Sequence, residues 1–288
     1  MAPNTCFVTV IFPNNLPFLG DFLESLANQK QANFDLLIFN DQASGVASLL
    51  KSYPFNFQLI DVNGNSIEIR SKLLRFLKES HYSYCVFGDS DDYFPPNRVS
   101  TNIELLQEHD IVINDLNLVN NHKKSLSEYY LSSRLHNYQL ITHADIVDKN
   151  ILGLGNTAIR MEALPEKLDF PEGSPAVDWM LFSRMLLNGK KAIFSSDTFI
   201  YYRQHSGNQI GIKNSDEGKI LKGIEIKYLH YQTLNKEYGI FQNELQEIEH
   251  LKSFLNSENH WHQYLNKLEA LRIEFPLWWE EIKPLNKI

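Results

Sequence analysis

Three carboxylates fall within four residues at Asp89-Ser90-Asp91-Asp92, directly after the apolar run Tyr84-Cys85-Val86-Phe87 and a glycine. Negative charges this close repel one another unless something positive neutralises them. Mg2+ and Mn2+ prefer carboxylate and water oxygens, and they commonly use one or two protein carboxylates together with substrate phosphates. A nucleotide diphosphate would complete such a shell. The same residues also suit a solvated acidic turn capping the helix that begins around Pro96, since carboxylates favour helix N-termini. The run alone leaves both readings open.

The elements that would position this cluster are legible from the apolar pattern. Cys6 to Phe12 is β-branched and aromatic and stops at Pro13, as a buried strand does. Leu16, Leu19, Phe22, Leu23 and Leu26 then recur at helical spacing, and Phe34 to Phe39 supplies a second strand. The alternation continues with a helix near Val46 to Lys51, a strand at Phe55 to Ile60, a helix from Ser66 to Ser80 and the strand Tyr84 to Phe87. Alternating strands and helices predict an α/β fold with a mostly parallel sheet covered on both faces. Ligands of such sheets bind beyond the carboxyl ends of the strands, and Asp41 and the Asp89 cluster both occupy that position.

Later segments break the simple alternation. Asp110 to Asp115 reads as a strand, Val177 to Leu187 as a buried helix, and Lys191 to Phe194 and Thr198 to Arg203 as two further strands. We expect a first domain over 1–215 and a helical extension over 216–288, whose charge alternates with apolar residues at helical spacing up to Pro276.

Composition excludes several function classes. The 27 Lys plus Arg against 35 Asp plus Glu give a net charge of −8, without the basic field that nucleic acid requires. No apolar run approaches the roughly 20 residues needed to span a bilayer, and Met1 does not open a signal-peptide pattern, so the expected location is cytoplasmic. Cys6 and Cys85 sit in strand-like runs and are expected to pack as small hydrophobes.

The order of these pieces resembles the family-two inverting glycosyltransferases, which have the GT-A fold, a Rossmann-like mostly parallel sheet flanked by helices. The matching residues span about 4 to 212. They include Leu23-Glu24-Ser25-Leu26-Ala27-Asn28-Gln29, Phe39-Asn40-Asp41, Gly88-Asp89-Ser90-Asp91-Asp92, Val177-Asp178-Trp179 and Tyr202-Arg203-Gln204-His205-Ser206-Gly207-Asn208. The last motif, followed by Gln209-Ile210-Gly211, is especially similar to rhamnosyltransferase-like members.

The resemblance implies a nucleotide-diphosphate sugar donor, a UDP- or dTDP-sugar, and a glycan or lipid-linked acceptor in bacterial surface polysaccharide synthesis. Asp41 would accept a hydrogen bond from the nucleobase. Asp89, Ser90 and Asp91 would meet the donor, with Mn2+ or Mg2+ on Asp91 and Asp89 and with His205 joining the metal set. Arg203 and His205 would neutralise the diphosphate when their loop closes. Arg70 stands where the family often has a basic residue in Ala-Arg-Asn, although the sequence here reads Ile69-Arg70-Ser71. Asp178 matches the catalytic base, with Val177 where Glu is commoner. A positioned carboxylate of this kind contributes about 10²–10⁴-fold by taking the proton of an acceptor hydroxyl.

Two rivals follow from the same residues. A sugar nucleotidyltransferase would show a Gly-rich basic loop after the first strand, where the chain has Phe12-Pro13-Asn14-Asn15-Leu16-Pro17. An inactive nucleotide-sugar-binding scaffold would have no need of Asp89, Asp91 and Asp178 together. In the extension, Tyr228, Leu229, Tyr231 and Leu234 form an apolar stripe and Leu277-Trp278-Trp279 places two large aromatics beside Glu280 and Glu281. We expect these to pack on the first domain or across a homodimer in preference to peripheral contact with the inner face of the membrane, because the acidic neighbours offer nothing to anionic lipid.

Overall fold

The computed structural model describes residues 4–30, 33–204, 217–271 and 276–288. Strand β1 (Thr5–Ile11) buries nearly every side chain, and beyond Pro13 a short 3-10 turn leads into α1 (Leu19–Ala27). Leu19, Phe22, Leu23 and Leu26 share the buried face of α1, and Phe22 meets Phe7 of β1 edge to face with ring centroids 5.9 Å apart. Burial of these rings is the main force holding the helix to the sheet.

β2 (Asp35–Asp41) runs parallel to β1, and β3 (Phe57–Val62) runs parallel to β2. Between them lies the short helix α2 (Val46–Leu50). Helix α3 (Ser66–Lys78) begins with a reciprocal cap: Asn65 Oδ1 accepts from the Ile67 and Glu68 amides while Glu68 Oε2 accepts from the Asn65 amide. β4 (Tyr84–Phe87) then pairs parallel with β1 on its other side. Cys6 and Cys85 are register partners there, both buried and both free thiols.

Beyond β4 the direction changes. Helix α4 (Arg98–Leu105) precedes β5 (Ile111–Asn120), beside which the short β6 (Ser125–Ser127) runs antiparallel. β7 (Leu140–Ile141) follows, and then β8 (Thr157–Arg160), which sits antiparallel between β4 and β5. Helix α5 (Val177–Leu187) leads to β9 (Ala192–Gln204), parallel to β5. The sheet order is β3-β2-β1-β4-β8-β5-β9-β7, with β6 beside β5. This is the mixed α/β, mostly parallel architecture that the alternation predicts.

Where the sequence reads as two strands, Lys191 to Phe194 and Thr198 to Arg203, the structure has one. Its register slips between Ser195 and Phe199, and the extra residues bulge out, with Asp197 accepting from Asn137 Nδ2 at 2.8 Å.

The C-terminal region is helical: α6 (Glu217–Tyr238), α7 (Gln242–Phe254) and α8 (Glu258–Ala270), and within 276–288 Trp278 then forms an isolated bridge with Asn150, outside the sheet. The domain boundary expected near 215 lies outside the described residues. The buried face of α6 includes Ile220, Ile224, Lys227, Tyr231 and Leu234, so the expected stripe is shifted: Tyr228 and Leu229 stand at its margin. That face packs on α5. His230 stacks on Trp179 with centroids 3.7 Å apart, and Arg184 donates from Nε and Nη2 to Glu237 at 2.9 and 2.8 Å. Among the described residues no helix is long and apolar enough to cross a membrane.

Candidate active site

The carboxyl ends of β1, β2, β4 and β9 open on the same edge of the sheet, and the acidic loop lies at its centre. The chain leaves β4 through Gly88, where a Cβ would fall 2.5 Å from the Phe7 ring and 2.8 Å from that of Phe94. Only glycine lets the backbone turn this tightly over those rings. Asp89 follows, half-buried, and Asp91 and Asp92 are buried behind it.

Asp89 approaches the turn Leu154–Asn156 so closely that a Cβ on Gly155 would lie 2.4 Å from its Oδ2. A Cβ on Gly153, two residues earlier, would stand 3.9 Å from Asp178 Oδ2. One short segment, Gly153-Leu154-Gly155, therefore touches both carboxylates, which the chain separates by almost ninety positions. Asp178 is in the first turn of α5, and its Oδ1 accepts from the Trp179 amide at 2.8 Å. A helix N-terminus favours the ionised carboxylate there.

Arg70 completes this group. It lies one turn into α3, Nη1 donates to Pro175 O at 3.3 Å, and its charge acts on both Asp89 and Asp178. Burial pushes Asp89 up to about 6, with Asp91 and Asp178 adding to the rise and Arg70 and Arg98 opposing it. Burial likewise raises Asp178, against Arg70 and the amides at the helix start. A carboxylate held up in this way is one that an added cation would relieve. Among the described residues no group of three or more His, Cys, Asp or Glu forms a metal cage. An all-oxygen pair, Asp89 and Asp91, nevertheless fits the partial coordination that Mg2+ or Mn2+ takes when substrate phosphates and water supply the rest.

Two of the residues expected to meet the donor are fully buried. Ser90 is fully buried; its Oγ donates to Val10 O at 2.8 Å and accepts from Asn15 Nδ2 at 3.0 Å. Arg203 is also fully buried: Nε donates to Asp91 O, Nη1 to Asn121 O and Nη2 to Asp21 Oδ2, and the guanidinium stacks on Phe18. Its amide donates to Asp92 Oδ1 at 2.8 Å. Arg203 thus braces the acidic loop from behind. His205 lies outside the described residues. Asp41 ends β2 beside Val62 of β3, half-buried at the same sheet edge but apart from the Asp89 and Asp178 pair.

Three supporting residues were not singled out from the sequence. Arg98, fully buried, donates from Nη2 to Phe87 O at 2.6 Å and to Gly155 O at 2.8 Å, so it ties the end of β4 to the glycine segment. Burial lowers it to about 9, against the raising effect of Asp92 and Asp89. Among the described residues Arg98 Nη1 and Asp92 Oδ2 have no hydrogen-bond partner. Asn15 donates to Asp91 Oδ1 at 3.3 Å as well as to Ser90. Gly155, lacking a Cβ, leaves the space that the Asp89 carboxylate fills.

Comparison with known proteins gives a consistent result. The family profile described as Glycosyl transferase family 2 matches residues 7–166. A Bacillus subtilis (strain 168) protein named uncharacterized glycosyltransferase YwdF is 24% identical over 132 residues, covering 46% of this chain and 49% of its own, so the chain spans about half the length of that relative. Among solved structures, residues 1–349 of TarS from S. aureus superpose with a TM-score of 0.58 at 15% identity, over 92% of this chain and 78% of that one. The same TarS fragment in complex with UDP-GlcNAc gives 0.56 at 16% identity, over 92% and 80%. The mannosyltransferase PcManGT from Pyrobaculum calidifontis, in complex with GDP-Man and Mn2+, gives 0.57 at 14% identity, over 94% and 75%. The shared architecture is the GT-A fold.

Proposed function

The chain belongs to glycosyl transferase family 2, and from that premise we propose that it moves one sugar from a nucleotide-diphosphate donor to an acceptor hydroxyl with inversion at the anomeric carbon. The observation that carries the reading is the meeting of Asp89 and Asp178 across Gly153-Leu154-Gly155, with Arg70 acting on both. On this reading a metal-type carboxylate and a base-type carboxylate stand on the two sides of one small floor.

Asp178 takes the proton of the acceptor hydroxyl. Burial raises its basicity, while Arg70 and the α5 N-terminus keep the ionised form accessible, which is the balance a general base needs. With the proton removed, the hydroxyl oxygen attacks the anomeric carbon from the face opposite the departing diphosphate, and a single displacement inverts the configuration. Asp89 and Asp91 would hold Mn2+ or Mg2+, which supplies charge stabilisation to the departing diphosphate. Asp41, at the carboxyl end of β2, accepts from the nucleobase. The complexes of similar folds with UDP-GlcNAc and with GDP-Man and Mn2+ support a nucleotide-sugar donor and a divalent cation. The acceptor is a glycan or lipid-linked sugar of a bacterial surface polysaccharide.

A thermal-shift panel of UDP-GlcNAc, GDP-mannose and dTDP-rhamnose, each with and without Mn2+, tests the donor side. A matching donor at 100 times its Kd stabilises the fold by about 2.7 kcal/mol, and Mn2+ should enlarge the effect. No stabilisation by any nucleotide sugar would contradict the reading.

A further inference from the structure

The alternation of β9 separates its last side chains onto two faces. Tyr201 and Arg203 point the same way, where both lie against Tyr93, with Tyr201 stacked on it at 4.3 Å. Tyr202 points to the other face. The charges of Asp92, Asp89, Asp91 and Asp178 all act on its hydroxyl, although burial is the larger cause of its raised pKa, so the ring borders the carboxylate site. Its neighbour there comes from the far end of the chain: the Trp278 ring lies edge to face with it at 6.1 Å.

Trp278 is fixed in place by its surroundings and yet left half-buried. The Asn150 amide donates to Trp278 O at 2.9 Å, and Asn150 opens the segment that reaches Gly153 and Gly155. Tyr130 Oη donates to Pro276 O at 2.7 Å, and the Leu277 amide donates to Glu280 Oε2 at 3.0 Å. Glu280 is in turn held by the Arg134 guanidinium, and Trp279 adopts a positive φ of 67° as the chain turns. The Trp278 backbone is clamped, and the side chain packs against the core while remaining partly exposed.

We propose that Tyr202 and Trp278 form an aromatic wall that receives a pyranose ring of the acceptor, which makes the returning tail part of the transfer site. The inference rests on the function proposed above. A pyranose presents an apolar C–H face and a hydroxyl rim, and an aromatic face bordered by carboxylates matches both.

The test uses the full chain, with octyl glycosides of glucose, galactose, N-acetylglucosamine and rhamnose as acceptor probes and donor binding read by thermal shift. Trp278→Ala should raise KM for the glycoside the wild type accepts by about tenfold, lower kcat much less, and leave the donor-induced shift in place. Trp278→Phe should restore most of the affinity and exclude a folding defect. Normal donor binding with no affinity for any glycoside, or an unchanged KM in Trp278→Ala, overturns the wall while leaving the function standing. Loss of sedimentation with phosphatidylglycerol vesicles at unchanged KM would replace it with a membrane contact. Failure of wild type and variant alike to bind any nucleotide sugar removes the function itself, and this inference with it.

Discussion

The acidic loop at 88–92 and the returning tail at 276–288 both deliver a side chain to the site from a turn, but they are held by different means. The loop rests on two fully buried guanidinium groups: Arg98 on Phe87 O and Gly155 O, Arg203 on Asp91 O and the Asp92 carboxylate through its amide. The tail rests on the Arg134–Glu280 ion pair, whose arginine is a third exposed, on main-chain bonds such as Asn150 N to Trp278 O, and further along on the buried Lys227 ammonium, which donates to Ile282 O at 2.8 Å. Buried charge-assisted bonds to main-chain oxygen fix a loop against a low-dielectric background, whereas a rim ion pair shares its energy with water. The acidic loop is therefore fixed from within the core, whereas the stretch around Trp278 and Glu280 is held partly at the surface.

The largest way to break this contrast is Arg98→Met. It leaves Asp92 buried beside one cation fewer and frees Phe87 O and Gly155 O, at a cost of about 3–5 kcal/mol. Urea unfolding should show the loss, and the nucleotide-sugar thermal shift should vanish with it. A stable variant with normal donor binding would mean that the loop does not depend on Arg98.

Glu280→Gln should cost less, about 1–3 kcal/mol, and leave donor binding intact while loosening the tail. Burial alone would raise Glu280, but Arg134 and the Leu277 amide outweigh it and hold the group below its usual range. Its stabilising contribution is therefore present above the unfolded carboxylate pKa and is lost as pH falls through the folded one. Hydrogen-exchange protection at 276–288, taken relative to intrinsic rates, should fall in acid in the wild type and be less pH-dependent in the variant. Exchange that is unchanged by the mutation would place the tail's anchorage elsewhere.

The smallest effect, and the sharpest, is on pH dependence. Arg70 lowers both Asp178 and Asp89, so Arg70→Gln should let both rise further. The base must be ionised to act, so the acid limb of the turnover profile should move to higher pH while the plateau above it changes little. A limb that stays in place would separate Arg70 from the base.

The two regions also differ in how far the sequence revealed them. The parallel half of the sheet was readable because each buried strand is an unbroken apolar run closed by Pro, Gly or Asp. Asp89 and Asp91 stood out as a crowded acidic run after a strand, whereas Asp178 was reached only through the family resemblance, since a carboxylate at a helix start also serves as a cap. Arg98 did not stand out, since an arginine at the start of a helix ordinarily reads as solvated; its partners are oxygens of Phe87 and Gly155, which only tertiary structure brings to it. The motif positions of Ser90 and Arg203 likewise did not reveal their buried partners, Val10 O for Ser90 and Asp91 O for Arg203. The pairing of Trp278 with Tyr202 depends on a chain return that periodicity does not encode.

The central claim is that the Asp89 and Asp178 pair performs glycosyl transfer, with Asp178 as the base. The most direct measurement is nucleoside diphosphate release by Asp178→Asn, using whichever nucleotide sugar stabilises the wild type. An unchanged donor-induced thermal shift and a rate lower by about 10²–10⁴-fold are expected. Wild-type release from that variant would contradict the claim.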